Sequence, residues 1–158
     1  MRKLFLVFAI ALVMAACGGD DSGGGVTTAG GSGNGSTSSG LDPCTLAGDS
    51  VLTAYFGAPV AGEPTEAGPI NGCRWRDANA NSLLIQVATD YDLFRPDPCD
   101  ECVDVTFGDD GYAWDSPIQS GASVVAGANW YSVTTTGFGD DAAAIAALLE
   151  TVFENAGN

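Results

Sequence analysis

The chain of 158 residues contains no histidine, and its 5 lysines and arginines are far outnumbered by 20 aspartates and glutamates. Without histidine the chain cannot build a Ser/His/Asp triad, a Cys/His dyad or a histidine-ligated metal site. Because lysine and arginine contacts to phosphates dominate nucleic-acid binding, the formal charge of -15 argues against a nucleic-acid partner. We see no catalytic motif, and we therefore expect a non-catalytic protein that uses no cofactor.

The chain also lacks the roughly 20 consecutive apolar residues that a helix needs to cross a bilayer. A shorter apolar run, residues 4–16, follows two cations at the N terminus, which is typical of a secretory signal peptide. Residues 13–17, VMAAC, resemble the lipobox of bacterial lipoproteins, whose cysteine receives acyl chains such as palmitate and becomes the first mature residue. The resemblance implies that residues 1–16 are removed and that Cys17 anchors the protein to the cell membrane, facing away from the cytoplasm. The alternative is a plain signal peptide that is cut elsewhere.

Residues 18–40 contain 10 of the 22 glycines, and nearly all the others are small or polar. A segment with so few apolar side chains cannot form a hydrophobic core. We therefore expect residues 17–40 to be the lipidated cysteine followed by a disordered tether, with a root-mean-square length of about 25–30 Å. Residues 41–158 then form a single extracytoplasmic domain.

The hydrophobic pattern of this domain predicts helices at both ends and strands between them. We expect a helical turn after Asp42, a helix over residues 50–56 that Asp49 caps and Gly57 ends, and a loop over residues 58–72. Strands are expected over residues 72–77, 82–89, 103–107, 122–126 and 130–135. A last helix begins at Asp140 or Asp141 and runs to about residue 155. The predicted fold class is α+β, with an antiparallel sheet of about 4–5 strands and both helices packed on one face.

The number of cysteines is odd, which fits one lipid attachment and two disulfides in an oxidising compartment. The four cysteines that remain after Cys17 allow three connectivities. We favour a bridge between Cys44 and Cys73, which ties the first helical turn to the first strand, and a small loop closed by Cys99 and Cys102.

The Cys99–Cys102 pair has the CxxC spacing of redox dithiols, but its surroundings are acidic. Negative charge disfavours the thiolate that redox chemistry requires, so we expect a structural disulfide. A thiol–disulfide enzyme is the alternative. The same carboxylates are a weak candidate for calcium, although their spacing does not match an EF-hand and a solvated acidic surface is the expectation. These carboxylates are Asp97, Asp100, Glu101 and Asp104.

Four further residues are candidates for ligand binding: Arg74, Arg76, Trp114 and Trp130. The two arginines lie on one face of a predicted strand, and we expect them to pair with the surplus of carboxylates around them. The alternative is that they hold a carboxylate or phosphate ligand. Trp130 and Tyr131 point to opposite sides of their strand, so one of them should lie off the main core.

Three segments of the domain occur in an order that resembles a known family. These are LDPCTL at residues 41–46, GCRWR at residues 72–76 and GDDGYAW at residues 108–114, ahead of an alanine-rich amphipathic helix. The order resembles that of actinobacterial lipoproteins whose shared domain has no assigned activity. The resemblance implies an α+β surface domain in which Cys44 and Cys73 are paired.

Together these features predict a lipid-anchored surface lipoprotein that binds or senses an envelope protein or a small ligand. A thiol–disulfide protein that uses Cys99 and Cys102 is one alternative. A carrier that holds an apolar envelope molecule between the sheet and a helix is another.

Overall fold

A computed structural model describes residues 40–89 and 102–158. The predicted signal peptide, Cys17, nearly all of the predicted tether and the segment that contains Cys99 lie outside these residues. The helices are a 3-10 turn at Pro43–Thr45, α1 at Gly48–Phe56 and α2 at Ala142–Asn155. The strands are β1 (Glu63–Ala67), β2 (Ile70–Arg76), β3 (Ser82–Ala88), β4 (Val103–Asp104), β5 (Asp110–Asp115), β6 (Gln119–Ala126) and β7 (Asn129–Thr136).

A side-chain cap sets the start of the 3-10 turn, and buried residues set the start of α1. Asp42 caps the 3-10 turn by accepting a hydrogen bond from the Cys44 amide at 2.9 Å, as the Asp-Pro pair predicts. The prediction that Asp49 caps the next helix is wrong, because α1 begins at Gly48 and Asp49 lies in its first turn. The two residues before α1, Leu46 and Ala47, are buried in the core, so packing sets the start of this helix.

All seven strands form one antiparallel sheet in the order β1-β2-β3-β7-β6-β5-β4. The broad α+β class is confirmed, but the expected number of about 4–5 strands is wrong. The sequence pattern misses β1, which contains Pro64 and two glutamates and lies at an edge where such residues are tolerated. It also misses β5, which begins with an Asp-Gly pair and has a single fully buried residue, Ala113.

One face of the sheet, called the inner face below, carries the main hydrophobic core. The 3-10 turn packs against β1, β2 and β3, and α2 packs against β5, β6 and β7. Cys73 and Trp75 of β2 point into this core, together with Ile145, Leu149 and Val152 of α2. The opposite face, called the outer face, therefore carries the side chains that alternate with these core positions.

A disulfide joins Cys44 to Cys73, as expected from the sequence, and links the 3-10 turn to the centre of β2. Cys102 is also disulfide-bonded. Its predicted partner, Cys99, lies outside the described residues, so that pairing stays a prediction.

Polar contacts fix both ends of α2. Asp141 caps the helix by accepting a hydrogen bond from the Ala144 amide at 2.8 Å, which confirms one of the two predicted caps. At the other end, the Asn155 side chain donates a hydrogen bond of 2.8 Å to the carbonyl of Leu46. The last helix is thereby tied to the first turn of the domain.

Asp140, beside this cap, holds the end of β7 and α1 together. It accepts a hydrogen bond from the Thr135 hydroxyl at 2.6 Å, and its backbone carbonyl accepts one from Ser120. Burial raises the pKa of the Tyr55 hydroxyl well above its usual range, and the charge of Asp140 and a hydrogen bond with it raise that pKa further. Tyr55 is therefore a neutral structural group at physiological pH.

The segment that begins at Gly108 joins β5 to the turn between β6 and β7. Gly108 has a φ of 73°, a conformation that favours glycine. The following Asp109 donates its amide to the Val125 carbonyl and accepts a hydrogen bond from the Gly127 amide, both at 2.7 Å. This backbone connection accounts for the first two residues, Gly108 and Asp109, of the GDDG string on which the family resemblance partly rests.

Candidate functional site

All four candidate ligand-binding residues lie on the outer face of the sheet. Arg74 and Arg76 alternate with the buried Cys73 and Trp75, so both point away from the helices. Trp114 follows the buried Ala113 of β5. Trp130 precedes the core residue Tyr131 of β7. All four therefore lie on the same face, although β5 and β2 are at opposite sides of the sheet.

The two arginines form the cationic end of this face. They are the only lysine or arginine residues within the described part of the chain. Arg76 is exposed and Arg74 is half-buried. Glu63 of β1 stands directly opposite Arg74 in the register, yet neither arginine forms a salt bridge with a carboxylate of the described residues. The expectation that both arginines pair with neighbouring carboxylates is therefore not met among the described residues.

Trp114 forms the aromatic end of the face by covering a glycine of the neighbouring strand. A Cβ atom on Gly121 would lie 2.7–2.9 Å from three indole atoms, Cζ2, Cε2 and Nε1. Cζ2, Cε2 and Nε1 are consecutive atoms along one side of the ring, so this side of the indole contacts the bare backbone of Gly121. The glycine is required here, because any larger residue would displace the half-buried indole.

Between these two ends, the strands present short polar side chains. The register places Ser82 and Thr136 beside Arg76, in the order Arg76, Ser82, Thr136 across β2, β3 and β7. Thr134 lies in the adjacent row, between Leu84 and Gly121. We call the surface formed by these residues the Arg–Trp platform. It consists of Arg74, Arg76, Ser82, Thr134, Thr136 and Trp114.

Trp130 lies on the outer face but away from the Arg–Trp platform. It is 9% exposed and packs with Ala88, Val125 and Ile70 in a small second apolar cluster. Tyr131 lies in the main core, which confirms that the two aromatic residues of β7 belong to different sides of the sheet. The position of Trp130 near the opposite end of β7 separates it from the arginines.

The other candidate site residues are only partly within the described chain. Asp104 lies on the short edge strand β4 and is exposed. Its three expected partners for calcium, Asp97, Asp100 and Glu101, lie outside the described residues. Within residues 40–89 and 102–158, no group of three or more cysteines or carboxylates is arranged to hold a metal ion.

Sequence reasoning missed the three hydroxyl residues of the Arg–Trp platform: Ser82, Thr134 and Thr136. The alternation within β7, where Tyr131, Val133 and Thr135 point inward, is a signal that could have placed Thr134 and Thr136 on the outer face. The pairing of β3 with β7, which brings Ser82 beside Thr136, has no comparable signal in the sequence.

Comparison of the chain with protein-family models, with curated proteins and with solved structures finds no match. Among the described residues, no helix is both long and apolar enough to span a membrane. The argument for function therefore rests on the geometry of the site.

Proposed function

We propose that this protein is a lipid-anchored, extracytoplasmic binding module that holds an anionic ligand with Arg74 and Arg76. The observation that carries the proposal is the position of the two arginines. They are two residues apart on the sheet face opposite the described helices and form no salt bridge with the described carboxylates, in a chain that has 20 acidic residues. Arginine binds carboxylates and phosphates through paired hydrogen bonds, which suits both groups as ligands.

The negative charge of the whole chain opposes the approach of an anion, but its effect is small at the site. At physiological ionic strength, exposed charges are screened beyond about 8 Å. Direct hydrogen bonds between arginine and a carboxylate contribute about 1.5–3 kcal/mol each. Two arginines that contact the ligand therefore outweigh a screened and diffuse repulsion.

The lipid anchor and the binding site are tested separately. Mass spectrometry of the membrane fraction should find a diacylglyceryl group on Cys17, and Cys17→Ala should release the protein into the soluble fraction. Retention of Cys17→Ala in the membrane would contradict the anchor. For binding, full-length protein in a non-ionic detergent is titrated calorimetrically with citrate, a small polycarboxylate, against a chloride control of equal ionic strength.

We expect citrate binding that Arg74→Gln and Arg76→Gln each weaken on the order of tenfold. The control is Glu66→Gln on β1, which changes the net charge by one unit in the opposite direction and lies on the opposite side of that strand from Glu63; it should leave citrate binding unchanged. Equal citrate binding by the wild type and both arginine variants would refute the proposed site.

The two alternative functions depend on other parts of the molecule. The side chains between the sheet and α2, including Val133, Ile145 and Leu149, are fully buried and packed together, so the described core gives no support to an apolar carrier. The thiol–disulfide alternative is tested by the reduction potential of the bridge at Cys102. A potential below about -300 mV indicates a structural bond.

A further inference from the structure

We infer that the ligand of the Arg–Trp platform is a linear acidic glycan, a chain of sugars that carry carboxylates, which lies across the strands from Arg74 to Trp114. The inference rests on the proposed function, because it assigns a ligand class to the same arginines. It adds two features that anion binding alone does not require: an elongated ligand and a ligand rich in hydroxyl groups.

The separation of the two ends of the platform sets the length of the ligand. Arg74 is aligned in the register with Leu84, Thr134 and Gly121, and the indole of Trp114 lies over that glycine. Arg74 on β2 and Gly121 on β6, where the indole lies, are therefore three strand spacings apart, or about 14 Å. A single sugar ring is too short to contact both ends, whereas an extended oligosaccharide reaches from one to the other.

The hydroxyl side chains of the platform point to a polyhydroxylated ligand. Elsewhere in the domain, hydroxyl groups are committed to internal hydrogen bonds, as Thr135 is to Asp140 and Ser123 is to Ser132. On the platform, the hydroxyls of Ser82, Thr134 and Thr136 make no hydrogen bond to other described residues. They are accessible donors and acceptors in the space between the arginines and the indole.

The aromatic end of the Arg–Trp platform suits the apolar surface of a sugar ring. The indole of Trp114 contacts Gly121 with one side of the ring and is only half-buried, so part of its aromatic surface is exposed. Aromatic faces pack against apolar ring surfaces, while the polar groups at the edges of the ligand stay free for hydrogen bonds. A sugar ring, with an apolar C–H surface and hydroxyl groups at its rim, meets both conditions at Trp114.

Charge complementarity distinguishes an acidic glycan from a neutral one. The Arg–Trp platform contains the two cations of the described chain, and one carboxylate borders it, that of Glu63 opposite Arg74. Arg74 and Arg76 are two residues apart on β2, or about 7 Å along the strand. Both guanidinium groups are therefore close enough to bind carboxylates at one end of the same glycan chain.

The test is a calorimetric titration of full-length protein in non-ionic detergent with oligogalacturonates of increasing length, from the monosaccharide to the hexasaccharide. Malto-oligosaccharides of the same lengths are the neutral control. We expect the affinity for oligogalacturonates to rise with length until the chain covers the platform and then to remain constant. We expect Arg74→Gln and Trp114→Ala each to lower the plateau affinity by roughly tenfold.

Two further comparisons separate binding from folding. Trp114→Phe keeps an aromatic ring over Gly121 and should retain most of the affinity, and thermal unfolding checks that each variant is folded. Glu63→Gln removes the carboxylate opposite Arg74 and should increase the affinity for the acidic chain, whereas Glu66→Gln on the other side of β1 should not.

Each outcome decides between the inference and the proposed function. If galacturonate binds as tightly as its oligomers, or if Trp114 variants bind oligomers normally, the glycan inference is wrong while anion binding by the arginines stands. If neutral oligosaccharides bind as tightly as acidic ones, the acidic-glycan inference is wrong and the citrate titration decides the proposed function. If neither citrate nor any oligogalacturonate binds, both the inference and the proposed function are wrong. An acidic peptide of matched charge that outcompetes the oligogalacturonate would also overturn the glycan inference.

Discussion

The disulfide between Cys44 and Cys73 should supply a large part of the stability of this small domain. The two cysteines are separated by 29 residues, and the bridge restricts the unfolded chain by closing that loop. The loop-entropy relation gives about 3.6 kcal/mol for a loop of this length. Because domains of this size are stable by about 5–15 kcal/mol, the double variant Cys44→Ala/Cys73→Ala should lose roughly a quarter to three quarters of its stability and still fold.

Urea denaturation followed by tryptophan fluorescence measures this effect. With a slope near 1.5 kcal/mol per molar, the loss corresponds to a decrease of about 2 M in the unfolding midpoint. The slope itself should increase, since the unfolded chain without the bridge exposes more surface. A decrease in stability of less than about 1 kcal/mol, together with an unchanged slope, would refute the reasoning that the bridge acts on the unfolded state.

Three smaller changes test the local structure. Ala80 has a φ of 67°, so Ala80→Gly should stabilise the protein by about 0.5 kcal/mol in urea denaturation, whereas Ala78→Gly in the same turn should destabilise it. Asp141→Ala removes the cap of α2 and should cost about 1 kcal/mol, while Asp141→Asn should cost less. The pKa of Asp77 is lowered because hydrogen bonds from Asn81 and Asn79 outweigh desolvation, which alone would raise it. The stability of the wild type relative to Asp77→Asn should therefore be constant above the ordinary pKa of 3.8 and should decline as pH falls through the lowered value; a constant difference at every pH would contradict this.

Local patterns in the sequence predicted the local parts of the fold. The helix α2 was identified by its apolar stripe and its cap, and the hairpins β2–β3 and β6–β7 by alternation on both sides of a short turn. These signals depend on residues that are close in the chain. The Cys44–Cys73 bridge was also predictable, because few cysteines were available to pair.

The missing strands and the strand order depend on distant residues. β1 has the composition of a loop, and it becomes a strand because β2 offers an edge with which it pairs in register. Likewise, β3 and β7 are adjacent in the sheet although 40 residues of chain lie between Ala88 and Asn129. No local pattern encodes that pairing, which brings Ser82 beside Thr136 and aligns Arg74 with Trp114. The candidate residues were therefore predictable one by one, but their arrangement was not.

A polar outer face is by itself no sign of function, since antiparallel sheets commonly cover one face with helices and expose the other to water. What requires explanation on this sheet is the departure from that default. An ordinary solvated face of so acidic a protein would carry carboxylates near its arginines, and a glycine in the middle of a strand would weaken it without benefit. Here Arg74 and Arg76 form no salt bridge with the described carboxylates, and Gly121 makes room for an indole. The arginines without salt bridges and the indole beside Gly121 lie on the same face of the sheet, at opposite ends of one row of residues. An extended ligand would need this arrangement.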